Sequence, residues 1–173
     1  MQVKTKVTLF ACILPLLFSV YALFSNQISL LLNSLLTLGC LSGFWILDKK
    51  INIFSLKSFM SVIIFILLSV FAGRSLSLYQ KFINWDKFLH FLSGFILVII
   101  AKQVYKKLSG DTNNKALIKL FSLFTAVSGA AFWEVYEFFC DRILGTSAQN
   151  NSLTDTMLDI IMGTISALIG IFI

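Results

Sequence analysis

A single histidine and a set of carboxylates carry most of the chemistry this sequence offers. His90 lies four residues after Asp86, and Asp159 lies four after Asp155. Glu134, Glu137 and Asp141 follow one another at steps of three and four. On an α-helix, which turns about 100° per residue, each of these groups falls on one face. Carboxylates with one imidazole are ligands for a divalent cation. Oxygen-rich sets suit Mg²⁺, Ca²⁺ or Mn²⁺, and an added imidazole also suits Zn²⁺. The same histidine can act as a general base or proton carrier near neutral pH. No Gly-x-Ser-x-Gly motif occurs, so a covalent serine mechanism has no support. The expected catalytic residues are Asp86, His90 and Glu137. The expected metal ligands are His90, Glu134, Glu137 and Asp159, with Asp141 and Asp155 as additional candidate ligands. Arg74, Lys81, Lys87 and Arg142 are expected to receive a phosphate headgroup.

Several of these residues also have plainer readings. Asp155 follows Ser152 at the capping-box spacing and falls in a first helical turn, where the helix dipole favours an anion. Asp86 comes two residues after Asn84, a plausible N-cap, and has Lys87 beside it. Asp141 can pair with Arg142 in water. Glu134, Glu137 and Asp159 resist such explanations. They lie one to two turns inside their helices, with no basic residue at the same depth.

The elements that must position these side chains follow from composition. Of 173 residues, 58% are hydrophobic and only 13% charged, and the mean hydropathy is +0.90. A soluble domain carries roughly 25% charged residues. One proline argues against a turn-rich β protein, and the apolar runs are too long for outer-membrane strands of about 10 residues. The expectation is an all-α, polytopic membrane protein forming one transmembrane domain over 1–173. Its helices fall at about 7–24, 28–47, 55–73, 82–101, 116–140 and 153–173, each near the roughly 20 residues a span requires. The first run is longer than a signal-peptide core, so a retained helix is expected, with Pro15 giving a kink rather than a stop. Cys12, Cys40 and Cys140 read as free thiols.

A net charge of +6 would suggest nucleic acid in a soluble chain; here it reads as orientation. Lys4, Lys6, Lys49, Lys50, Lys57, Lys102, Lys106, Lys107, Lys115 and Lys119 fall on one side of the six spans, with Asp48 and Asp111. Arg74, Lys81, Lys87 and Arg142 fall on the other. The positive-inside rule therefore gives N-in/C-in. With that orientation Asp86 and His90, then Glu134, Glu137 and Asp141, then Asp155 and Asp159 reach one depth in the outer leaflet. A carboxylate stripe is too costly to face lipid, so it should face the bundle interior or a watery pocket. Trp85, Trp133, Tyr79 and Tyr136 are expected as interfacial anchors and pocket walls.

Two segments carry a family resemblance. The run from Trp85 to Gly94 contains Asp86-Lys87-x-x-His90, and Asp159 opens a segment continuing through Gly163 and Ser166 to Gly170. With a glutamate in the intervening span, this is similar to the VanZ-like family linked to teicoplanin resistance. Gly163 and Ser166 stand where that pattern has Asn and Gly. Trp133-Glu134-Val135-Tyr136-Glu137, Asp141, Gly145-Thr146 and Asp155-Thr156-Met157-x-Asp159 more closely resemble the YjdF-like membrane proteins. The resemblance covers about 82–170. It implies a bacterial cytoplasmic membrane location and a fold that holds Asp86, His90, Glu137 and Asp159 together, with little established chemistry.

Three functions compete. One is a metal-dependent hydrolase or transferase acting on a membrane lipid or lipid-linked envelope substrate. Another is a small cation or proton transporter or sensor. The third is a non-catalytic envelope or resistance factor whose polar cluster locks helices together. No nucleic-acid partner is expected, and a dimer is compatible with the chain's size.

Overall fold

The computed structural model describes residues 2–110, 114–150 and 152–173, so the expectation for Asp111 lies outside the described residues. The architecture is all-helical. Helix α1 spans Gln2–Phe24, α2 Ile28–Ile51 and α3 Leu56–Ile66, the last continuing as a π-helical segment over Leu67–Ser75. A short α4, Leu78–Lys81, leads to α5, Trp85–Ser109. Helix α6 spans Lys115–Leu144 and α7 spans Leu153–Gly170. Six helical stretches are long and apolar enough to cross a membrane, the third being Leu56–Ser75.

Local chemistry sets the helix ends. Asn52 ends α2 in the left-handed conformation, φ 48°, and its N–H donates to the Asp48 carbonyl. The Ser55, Asn114 and Ser152 side chains accept from Ser58 N, Leu117 N and Asp155 N, capping α3, α6 and α7. Gly145, at φ 67°, closes α6 in a conformation that suits glycine. Pro15 lies inside α1 without ending it, and Ser19 Oγ donates to the Pro15 carbonyl at 2.8 Å. Helices α5 and α6 run further than the hydropathy suggested. Lys102, Lys106 and Lys107 are still helical, and the 30 residues of α6 reach about 45 Å, more than a hydrocarbon core of about 30 Å.

The chain divides into two compact units, Met1–Trp85 and Asp86–Ile173. In the first, Ala11, Leu41, Phe59 and Ile63 form the buried core. Lys4 Nζ donates to both Asp48 oxygens, at 2.9 and 3.0 Å, and to the Phe54 carbonyl at 2.6 Å. That one ammonium ties the start of α1, the last turn of α2 and the approach to α3 to a common end. Trp45 Nε1 donates to Thr5 Oγ1 at 3.2 Å, and Lys49 lies over the Trp45 ring.

The second unit is a three-helix assembly of α5, α6 and α7. Its apolar core is Val98, Ala126 and Ala167, one from each helix. One turn along, the helices meet through Gly94, Ala130 and Gly163. A Cβ on Gly94 would collide with Ser166 Oγ and the Gly163 carbonyl, and one on Gly163 would stand 3.1 Å from the Ala130 methyl. Small residues are the usual means of close helix approach in a membrane, where no hydrophobic force drives helices together. At the far end Lys102 Nζ donates to the Gly170 carbonyl at 3.0 Å, and Lys119 lies over the Phe172 ring.

Because Gly94 has no room for a methyl group, Gly94→Ala should lower stability by about 1–3 kcal/mol, the usual cost of overpacking. Thermal unfolding of the detergent-solubilised protein measures this. An unchanged midpoint would show that the α5–α7 contact is looser than the structure has it.

Candidate functional site

One further turn beyond the small-residue layer lies a polar one. His90, Glu134 and Asp159 each sit four residues from Gly94, Ala130 and Gly163 respectively. A four-residue step keeps a side chain on nearly the same helical face, so the approach that stacks the glycines also stacks the polar groups. The three residues are 6%, 3% and 1% exposed. His90 Nε2 is 3.6 Å from Glu134 Oε1 and 3.9 Å from Asp86 Oδ1. Ligand-capable atoms of Asp86, His90 and Asp159 all lie within 4.8 Å of one another.

Two oxygens stand out. Glu134 Oε1 and Asp159 Oδ1 are buried and make no hydrogen bond to any described residue. Buried polar atoms are nearly always bonded, so these two oxygens, one of them 3.6 Å from the His90 imidazole, set this layer apart from the rest of the unit. Lys87 supplies the local positive charge. Its Nζ is 2.6 Å from Asp155 Oδ1 and 3.7 Å from Asp159 Oδ1, the second distance being electrostatic rather than a hydrogen bond.

The α6–α7 connection holds the outer edge of the site. Asp141 Oδ1 accepts from Thr146 Oγ1 at 2.5 Å and Ala148 N at 2.7 Å, and Oδ2 accepts from Gln149 N at 3.0 Å. Gln149 Nε2 then donates to the Glu134 carbonyl at 3.1 Å and to Glu134 Oε2 at 3.3 Å. Asn150 Nδ2 donates to Asp155 Oδ2 at 2.8 Å. The loop thus fixes one oxygen of Glu134 and one of Asp155.

The expected residues separate accordingly. Asp86, His90 and Asp159 come together as a ligand-capable set, with Glu134 against the histidine. Glu137 stays outside that set; its Oε1 accepts from Trp133 Nε1 at 2.8 Å, on the side of α6 that carries the exposed Trp133 and Tyr136. Asp141 spends its oxygens on the loop rather than on Arg142 or a ligand position. Asp155 is the ion-pair partner of Lys87, and Ser152 caps its helix as the spacing suggested. Arg142 lies exposed near the Phe138 ring. Arg74 and Lys81 belong to the first unit, where Lys81 Nζ donates to the Leu76 carbonyl at 3.0 Å. Sequence reasoning missed Gln149 and Asn150. Their only signal is a pair of amides in the short segment between two acid-bearing helices.

Six apolar spans with a buried polar layer define a multi-pass integral membrane protein. The chain belongs to the family described as "Predicted membrane protein (DUF2238)", whose pattern matches residues 5–173. The YjdF-like resemblance fits that assignment. An uncharacterised protein of Thermotoga maritima is 34% identical over 89 residues, which cover 51% of this chain and 46% of that one. The chain therefore spans about half the length of that relative. No solved structure matches.

Asp141→Asn should free the loop, because charge-assisted bonds to two backbone amides are weakened together. Hydrogen exchange at Ala148 and Gln149 should quicken about tenfold or more, as expected when a charged hydrogen bond worth about 1.5–3 kcal/mol is lost. Unaltered exchange would mean that the loop is held by something other than Asp141.

Proposed function

We propose that the polar layer of the second unit is a divalent-cation site of a membrane-embedded hydrolase or transferase acting on a lipid or lipid-linked substrate. The observation that carries this reading is the pair of buried, unbonded oxygens, Asp159 Oδ1 and Glu134 Oε1, the latter 3.6 Å from His90 Nε2. Asp86, His90 and Asp159 serve as ligands. A cation bound there would supply an activated water. Glu134, whose other oxygen is held by Gln149, would be the nearest carboxylate able to act as a base beside such an ion. His90 Nε2 and the Asp86 carboxylate, 3.9 Å apart, would both face the ion. With mixed oxygen and nitrogen donors, Mn²⁺ and Zn²⁺ fit the set better than Ca²⁺, which takes 6–8 oxygens.

Depth and charge suggest the substrate class. His90 and Asp159 lie five and six residues inside the starts of α5 and α7, which is about 8–9 Å along each helix. That is the level of headgroups and upper acyl chains. The opposite end of the unit carries Lys102, Lys106, Lys107, Lys115 and Lys119, so the positive-inside rule puts the site on the extracytoplasmic face.

A structural polar lock is the second reading, favoured by Lys87 and Gln149, which already satisfy part of the cluster. It would also suit the envelope role that the VanZ-like motif at Asp86 and His90 implies. Metal binding separates the two. Purified protein should bind one Mn²⁺, and Asp159→Asn should weaken binding at least a hundredfold, beyond the 10–100-fold typical of second-shell changes. Glu134→Gln should abolish turnover of lipid-linked phosphoesters while leaving the unfolding temperature within a few degrees. If the wild type binds no Mn²⁺ and Asp159→Asn simply unfolds, the polar lock is the correct reading.

A further inference from the structure

Lys87 sits where a cation at Asp159 would meet it. Its ammonium is 2.6 Å from Asp155 Oδ1 and 3.7 Å from Asp159 Oδ1, and Asp159 Oδ1 is one of the two unbonded buried oxygens. A divalent ion ligated by Asp159 at about 2.0–2.6 Å would stand within a few ångströms of that ammonium. Two cations sharing one carboxylate oxygen in a poorly solvated layer repel strongly. The lysine has somewhere to go. Its side chain is 21% exposed, whereas that of Asp159 is 2% exposed, so its path out leads away from the buried layer. Asp155 keeps a partner when Lys87 leaves, because Asn150 Nδ2 remains on its other oxygen at 2.8 Å.

We propose that Lys87 is the built-in counter-ion of this site, that a divalent cation binds by exchange against it, and that the displaced ammonium then holds a phosphate oxyanion. The inference rests on the cation-site reading above and adds the order of events and the ligand class. Without a divalent ion, Lys87 neutralises Asp155 and Asp159 and is unavailable to an anion. With one bound, Lys87 is released at the mouth of the site, and ion and ammonium together present two positive groups to one phosphate. Cation and phosphate therefore promote each other's binding, a coupling that linkage makes reciprocal. This assigns Lys87 as a binding residue that is masked until the cation arrives.

The full-length protein in phosphatidylcholine nanodiscs tests this with Mn²⁺ as the cation. Lys87→Gln removes the competing charge and should bind Mn²⁺ about tenfold tighter or more, whereas Lys87→Arg should stay near the wild-type value. In the wild type, inorganic phosphate should tighten Mn²⁺ binding, and Lys87→Gln should lose that effect. Replacing part of the phosphatidylcholine with phosphatidic acid distinguishes a headgroup phosphate from a free one. The stronger coupling identifies the source, and both are lost together in Lys87→Gln. Amine acetylation read by mass spectrometry provides an arm that needs no variant. Mn²⁺ should raise the reactivity of Lys87 relative to Lys81. If wild-type protein binds no Mn²⁺, the cation-site reading and this inference fall together. If it binds Mn²⁺ but Lys87→Gln binds no tighter, or Lys87 reactivity does not rise, the exchange alone is overturned.

Discussion

The close approach of three helices at Gly94, Ala130 and Gly163 is the constraint on which the second unit depends. At this point Gly94 has no space for a side chain and Gly163 only a tight one, so α5 and α7 approach backbone to backbone. Everything on either side follows in steps of four residues. One turn in one direction lie Val98, Ala126 and Ala167, the apolar core. One turn in the other lie His90, Glu134 and Asp159, the polar layer. The closeness of the glycine contact brings the histidine and the carboxylates together one turn away.

Such a layer is costly to hold in an apolar setting, since buried charge is stable only when compensated. Compensation here comes from outside the three core positions. Lys87 reaches across from α5 to α7, Gln149 descends from the loop to Glu134, and Asp141 anchors that loop. The labour is divided: inner groups face one another, and outer groups fix their orientation. The first unit solves a comparable problem differently. There one lysine, Lys4, satisfies Asp48 and a backbone carbonyl completely. The contrast between a saturated ion pair and an unsaturated cluster is the reason the cluster invites a chemical reading and the pair does not.

Much of this was legible in the sequence, for identifiable reasons. Apolar run length exposes six spans because the bilayer demands internally bonded helices of fixed length. Four-residue spacing exposes the Asp86–His90 and Asp155–Asp159 faces because helical geometry is rigid. Glu134 and Glu137 differ by three residues, and spacing alone could not separate them; the structure turns one to the histidine and the other to Trp133. Asp141 looked like a member of the acidic stripe, yet its position at a helix end lets nearby loop amides capture it. That depends on the path of 145–150, which no periodic pattern encodes. The π-helical segment of 67–75 was equally hidden, since no glycine or proline stands where the α-helix gives way to it at Ile66–Leu67.

The three four-residue ladders also make the site unforgiving of changes in chain length. Inserting or deleting one residue between His90 and Gly94 would leave the helix intact and its apolarity unchanged. It would nevertheless swing the imidazole by about 100° about the α5 axis. The histidine would then face a different neighbour, while the packing below it stayed in place. In this unit, chemistry is tied to register in the way a key's teeth are tied to its shaft, so length variation in these helices should be confined to the basic end, beyond Lys102.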